Sequence, residues 1–197
     1  MTLAEQIVTP ASPLLAERVT ELVTASCAEL DVYRWVFPQA AMRAEALAAS
    51  CRLAVEQAWS TPGGQVDVVT EDGEVLGAAV WFAGRPAFPP EPFAKYLTGV
   101  GTAAARLRQM EEFLLATHSG DDEDYLRFLA VVPDRRGVGL GSALLAHHLA
   151  RLDRVATVEA VSRRGVTLCE QHGFVRVGPE FRQGSRPIMI PMRREPS

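Results

Sequence analysis

A nearly all-apolar strand that runs straight into a glycine-rich turn and then a helix constrains this chain more than any other stretch of it. The strand reads Tyr125-Leu126-Arg127-Phe128-Leu129-Ala130-Val131-Val132, and Pro133-Asp134 turn the chain. Arg136-Gly137-Val138-Gly139-Leu140-Gly141-Ser142 then leads into a helix striped with Ala143, Leu144, Leu145, Leu149 and Leu152. Glycines at 137, 139 and 141 carry no Cβ, so the backbone can approach a ligand closely. The first N–H groups of a helix have no partner within it, and together with the helix dipole they attract an anion. Strand, loop and helix therefore predict a diphosphate site. A bare strand-to-helix turn needs fewer glycines than this.

Spacing separates the possible loops. A Walker loop would need Lys after its last glycine, where Ser142 stands. A dinucleotide fingerprint would place its third glycine at Ser142 and belongs near the start of a longer βαβ series. The residues instead spell Gln/Arg-x-x-Gly-x-Gly/Ala as Arg136-x-x-Gly139-x-Gly141, and on that pattern the chain resembles the GNAT acetyltransferases. Downstream, residues 162–174 occupy the family frame Asn-x-x-Ala-x-x-Leu-Tyr-Glu-x-x-Gly-Phe. Leu168, Glu170, Gly173 and Phe174 fit it, while Ser162, Gly165 and Cys169 replace the Asn, Ala and Tyr. Gln109-Met110-Glu111, His118, Tyr125-Leu126 and Gly173-Phe174 look similar to the small-molecule branch that includes puromycin N-acetyltransferase.

The resemblance implies an α/β fold, a mixed and mostly antiparallel central sheet flanked by helices, built as one domain over residues 1–197. It implies acetyl-CoA as cosubstrate and no metal. Arg136, Gly137, Val138, Gly139, Leu140, Gly141, Ser142 and Ser162 would then hold the coenzyme. The main chain of Leu129, Ala130 and Val131 would pair with the pantetheine arm like an added strand. Cys169 takes the position of the phenol that often protonates the departing thiolate.

Composition agrees with one hydrophobic core: the chain has 197 residues, 48% of them hydrophobic. A net charge of -4, from 24 acidic and 20 basic side chains, supplies no basic surface for displacing counterions from nucleic acid. No basic leader or apolar stretch of membrane-spanning length is present, so the expected location is cytoplasmic, away from membranes. Cys27, Cys51 and Cys169 are odd in number and form no CxxC or Cys/His metal spacing, which reads as reduced thiols.

Along the chain, residues 6–9 read as a first strand, and Leu14, Leu15, Val19, Leu22 and Val23 as a helical stripe. An aromatic, proline-broken connection at 31–38 precedes a helix at 39–59. Strands at 66–70 and 75–82 flank Asp72-Gly73, which predicts a hairpin. Residues 84–92 read as a proline-rich loop, 103–117 as a helix and 118–124 as a solvated connection. After the glycine-loop helix come a strand at 157–161, a helix at 164–172 and a closing pair at 174–177 and 188–192.

Glu159 interrupts a strand where an apolar residue belongs, so it lines a cleft or faces a cation, and it is the candidate general base. Cys169 is a candidate acid by position and an apolar filler by chemistry. Tyr33, Trp35 and Phe37 are core or the wall of an acceptor pocket, with the Tyr33 hydroxyl as the polar contact. Glu111 and Glu112 lie about 100° apart on a helix, so at least one is solvated surface. His118 is a proton shuttle or a helix C-terminal cap, and His147 and His148 have no metal-ligand spacing. The expected activity is direct transfer of acetyl from acetyl-CoA to a primary amine of a small molecule in a ternary complex. A non-catalytic acyl-CoA-binding protein and an enzyme acting on peptide amines remain alternatives, and association as a homodimer is left open.

Overall fold

A computed structural model describes residues 8–84, 90–117 and 122–196. The strands form one mixed sheet. β1 (Val8–Pro10), β2 (Gln65–Glu71), β3 (Glu74–Ala83) and β4 (Glu123–Val131) pair antiparallel in that order. β4 then pairs parallel with β5 (Val155–Ala160). β8 (Arg186–Arg194) lies antiparallel to β5 and carries β6 (Val175–Arg176) and β7 (Phe181–Gln183) as partners. The β2–β3 turn has Asp72 at φ 51° and Gly73 at φ 83°. Both central residues are left-handed, the geometry that matches the twist of a two-residue hairpin.

Helices cover both faces. α1 (Ala16–Ala28), α2 (Asp31–Val36), α3 (Ala40–Ser60), α4 (Pro90–Gly99) and α5 (Ala104–Thr117) lie on one side, over a core that includes Val23, Leu47, Val80, Phe82 and Leu107. α6 (Leu140–Leu149) and α7 (Arg163–Gln171) cover the other, over Trp81, Leu126, Leu144, Leu145 and Met192. Burial of apolar surface on both faces is what makes one sheet between two helical layers stable.

The expected elements are present, with shifts that have local causes, and the connection expected to be solvated at 118–124 instead enters β4 at Glu123, where Glu123 and Asp124 are buried. The first strand runs on to Pro10, which sits on the sheet edge where a missing N–H leaves no ladder bond unmade. Residues 6–7 of that expected strand, residues 85–89 of the expected proline loop and His118 lie outside the described residues. The proline-rich segment becomes helical from Pro90, because the first turn of a helix tolerates residues that cannot donate. The aromatic connection at 31–38 likewise coils into α2 before Phe37-Pro38 stop it.

Two features of β4 shape the site. Val80 pairs with Phe128 but Trp81 pairs with Leu126, so Arg127 is an extra residue, a β-bulge. It flips the alternation: Leu126 belongs to the α6 side, whereas Phe128 faces the α1–α5 side. Pairing with β5 also stops early, at Leu126↔Val158, and beyond that rung the two strands line a shared cavity.

The far end of α6 is anchored by a buried polar cluster. His148 stacks on Trp81 with ring centroids 4.0 Å apart, and its Nε2 donates to Asp124 Oδ2 at 2.7 Å. Arg154 also pairs with Asp124. Asp67, fully buried on β2, accepts from Gln65 Nε2 at 2.7 Å and lies 3.8 Å from both His147 and His148. Two consecutive histidines thus reach one carboxylate. Burial of His148 opposes its charge, but the hydrogen bonds and charges of Asp124 and Asp67 outweigh it and hold the imidazole pKa above its ordinary value.

A raised folded-state pKa stabilises the fold fully below the unfolded value of ~6.5, and that contribution disappears as pH rises through the folded value. Denaturant unfolding of the wild type between pH 6 and pH 9 should therefore show a loss of stability that His148→Gln lacks. The variant His148→Ala, which leaves two buried carboxylates and a void beside Trp81, should cost about 2–4 kcal/mol at pH 6. Equal pH slopes in wild type and His148→Gln would exclude the charged imidazole as the anchor.

Candidate active site

The glycine loop is built from three glycines with two different jobs. After the turn Pro133–Arg135, Arg136 is extended, Gly137 has φ 84° and Gly139, the N-cap of α6, has φ 96°. Those two positions are left-handed, where a Cβ is strained. A Cβ on either would meet nothing within 4 Å, so both border open space. Gly141 differs: its Cβ would lie 3.2 Å from Leu168 Cδ2, so this glycine lets α6 and α7 approach.

The first backbone bond of α6 runs from Ala143 N–H to Gly139 O at 2.9 Å, and no side chain caps the helix. Among the described residues, the N–H groups of residues 137–142 have no backbone acceptor. They are a fixed set of donors at the positive end of a helix. The Arg136 guanidinium donates from Nε to Val131 O at 3.1 Å and from Nη1 to Glu29 Oε2 at 2.7 Å. It ties the loop to β4 and to the C-terminal end of α1. Ser142 Oγ lies 2.7 Å from His172 Nε2, at the end of α7, so its hydroxyl is engaged and its amide is the group left at the loop. Burial and the charge of Arg194 hold His172 below its ordinary pKa.

A cavity of about 1040 Å³ extends from this loop between β4 and β5 to the helices α1, α2 and α5. Its size is at the upper end for a small-molecule site. Leu129, Ala130, Val131, Arg136, Gly137, Gly139, Leu140, Gly141, Ser142, Glu159, Ser162, Cys169 and Tyr33 all line it. The fold thus brings together every expected site residue except Val138, which is half exposed on the outer side of the loop. Ser162 is the N-cap of α7 and accepts from Gly165 N–H at 3.0 Å.

Three further ionisable groups, Glu159, Tyr33 and Cys169, also line the cavity. Glu159 is 8% exposed and accepts from Thr117 Oγ1 at 3.2 Å. Burial pushes the Tyr33 phenol well above its ordinary pKa, so it is a neutral hydrogen-bonding group at pH 7. Burial, with the charge of Glu170, pushes the Cys169 thiol up to about 12. All three cysteines are free thiols. Glu111 is buried and Glu112 exposed, and Glu111 accepts from Arg127 Nη2 at 3.4 Å.

Several lining residues escape sequence reasoning. Arg127 sits in a run that reads as plain core strand, yet it lines the cavity and its guanidinium is paired with Glu111 on α5. Arg135, Arg163 and Arg164 line the glycine-loop end together with Arg136, a basic rim concealed by an acidic total. Thr117 and Glu29 reach the site from helix ends, and no local pattern marks them. Among the described residues, no group of three or more His, Cys, Asp or Glu is placed to hold a metal ion, and no helix is long and apolar enough to cross a membrane.

No family model and no curated protein sequence matches the chain. Solved structures do. A histone acetyltransferase HPA2 and related acetyltransferase from Corynebacterium glutamicum is similar over 98% of both chains, at 26% identity and a TM-score of 0.75. An N-acetyltransferase from Staphylococcus aureus is 14% identical at a TM-score of 0.60, over 98% of this chain and 100% of the other. A GCN5-related N-acetyltransferase from Rhodopseudomonas palustris is 17% identical at a TM-score of 0.57, over 99% of this chain and 98% of its own. The open mixed sheet flanked by helices, with its glycine loop ahead of α6, is the fold of the GNAT acetyltransferases.

Proposed function

We propose that this protein is a GNAT-family acetyltransferase that moves acetyl from acetyl-CoA to a primary amine of a small molecule, in the manner of the family's small-molecule branch. The observation that carries the reading is one continuous cavity. It runs from six amides that have no backbone acceptor among the described residues, beside four arginines, to a buried carboxylate, Glu159.

The residues present fit the coenzyme. The amides of residues 137–142 offer a diphosphate the donors that a helix N-terminus supplies, and the open side of Gly137 and Gly139 gives it close approach. The edge of β4 that loses β5 beyond Leu126 offers backbone groups at Leu129, Ala130 and Val131 to an extended pantetheine arm. Holding donor and acceptor in one cleft turns a bimolecular encounter into an oriented one.

In the reaction, Glu159 takes a proton from the acceptor ammonium, freeing the nitrogen lone pair. The neutral nitrogen attacks the thioester carbonyl, the C–N bond forms and the C–S bond breaks. A main-chain N–H near Leu129 or Ala130 stabilises the oxyanion that develops, a contribution of about 3 kcal/mol in comparable sites. The sulfur leaves as a thiolate and takes a proton from solvent, while the amide nitrogen gives up its second proton. Cys169, with its thiol held near 12, is a poor donor to a thiolate and fills space beside α6. Solvent can serve because the leaving thiolate is only weakly basic.

Three outcomes test the reading. Gly139→Ala places a methyl group in the open space of the loop at a left-handed position. Calorimetry should show its affinity for CoA reduced at least about tenfold, with a stability loss of about 1–2 kcal/mol. Thiol release from acetyl-CoA with a panel of primary amines should fall about 10²–10⁴-fold in Glu159→Gln. Cys169→Ala should keep most of the wild-type rate. Binding of CoA without thiol release by any amine would favour the non-catalytic alternative.

A further inference from the structure

Helix α7 meets the glycine loop along one face. Leu168 and His172 lie four residues apart, so they share that face one turn from each other. Leu168 Cδ2 stands 3.2 Å from where a Cβ on Gly141 would be, and His172 Nε2 lies 2.7 Å from Oγ of the next loop residue, Ser142. The chain after His172 fixes the ring in place. Gly173, left-handed at φ 83°, closes the helix, Phe174 N–H bonds back to Cys169 O at 3.1 Å, and the Phe174 side chain is buried in the core under α6 and α7.

A hydroxyl has one hydrogen to give, and the state of His172 decides where it goes. With Nε2 bare, Ser142 Oγ donates to the ring, and the loop presents main-chain amides alone. With a hydrogen on Nε2, Oγ accepts it, and the hydroxyl hydrogen turns to the cavity that Ser142 lines. Burial and the charge of Arg194 on β8 hold the imidazole below its ordinary pKa, so near neutral pH the ring is uncharged and either nitrogen can carry its one hydrogen. The neighbouring Glu170 of α7 is paired with Arg176 of β6, and the first turn of α6 brings Ser142 without a charged side chain. An anion at the loop shifts this balance, because it favours both a second proton on the ring and a hydroxyl that donates outward.

We infer that His172 is a positioning residue for the coenzyme: its Nε2–H, given to Ser142 Oγ, turns the Ser142 hydroxyl onto the diphosphate beside the loop amides, and coenzyme binding draws a proton onto the ring. The inference rests on the acetyl-CoA reading for the identity of the anion. His172 does not line the cavity, whereas Ser142 does, so the imidazole acts through the hydroxyl. The frame Glu-x-x-Gly-Phe leaves position 172 open, so the device belongs to this chain and not to the motif. A hydrogen bond to a charged oxygen is worth about tenfold or more in affinity.

Calorimetric titration with dephospho-CoA tests this, since that ligand keeps the diphosphate and lacks the 3′-phosphate, whose own ionisation near pH ~6 would overlie that of the ring. Wild-type affinity should rise about tenfold as pH falls from about 8 to about 5.5, and titration in two buffers of different ionisation enthalpy should show proton uptake. His172→Gln, whose amide donates at every pH, should keep the tight binding and lose the pH slope. His172→Phe, which donates nothing, should bind about tenfold more weakly than His172→Gln and should add no further loss to Ser142→Ala. Equal affinities and slopes in wild type, His172→Gln and His172→Phe overturn the inference and leave the coenzyme reading standing, as do Ser142→Ala and His172→Phe losses that simply add. Binding of CoA without binding of dephospho-CoA likewise overturns the inference alone. A wild type that binds neither overturns the coenzyme reading and the inference together.

Discussion

The interaction on which the rest depends is one that stops: the hydrogen bonding between β4 and β5 ends at Leu126↔Val158. Up to that rung the sheet is continuous and its two faces are sealed by separate apolar cores. Beyond it a cleft opens inside the sheet, and backbone groups that would otherwise pair strand to strand face a cavity. Unpaired backbone groups away from water are costly, so a ligand that supplies partners completes the sheet. The bulge at Arg127 sits at the same level and puts Phe128 on the face opposite Leu126. Failure of pairing, change of face and the start of the cavity thus coincide within two residues of β4.

Charge is arranged along that cleft in a way the whole-chain total hides. Arg135, Arg136, Arg163 and Arg164 line the loop end, although the chain is acidic overall. Arg136 is already bonded to Glu29 and Arg135 to Glu71, so the main-chain amides are the loop's own donors with no backbone acceptor among the described residues. Helix α6 that presents them is held at its other end by His148 and two buried carboxylates, and near its start by Ser142 against His172. A donor set fixed at both ends of its helix loses little freedom when an anion arrives, which is the general advantage of preorganisation.

The sequence carries this fold unevenly. Strand, glycine loop and α6 were legible because three signals agree there: an apolar run, glycines at special backbone positions and a helical stripe. The β2–β3 hairpin was legible for the same reason, Asp72-Gly73 fitting the one turn that two twisted strands accept. Helix α4 was hidden by prolines that a first turn tolerates, and α2 by aromatic residues that read equally well as core. Most of the cavity lining at the glycine-loop end was named from the loop motif. Tyr33 and Glu159 were named as well, from an aromatic segment and from a charge inside a strand, whereas Glu29 and Thr117 were not, because one meets Arg136 and the other meets Glu159 only through tertiary packing. Neither leaves a periodic trace.

The central claim is that the amides from Gly137 to Ser142 grip a coenzyme diphosphate. Backbone amide NMR spectra recorded as CoA is added test it most directly. The account predicts that resonances of residues 137–142 move most and become protected from exchange, with those of Leu129 to Val131 following. Unchanged loop resonances alongside shifts elsewhere on the molecule would contradict it.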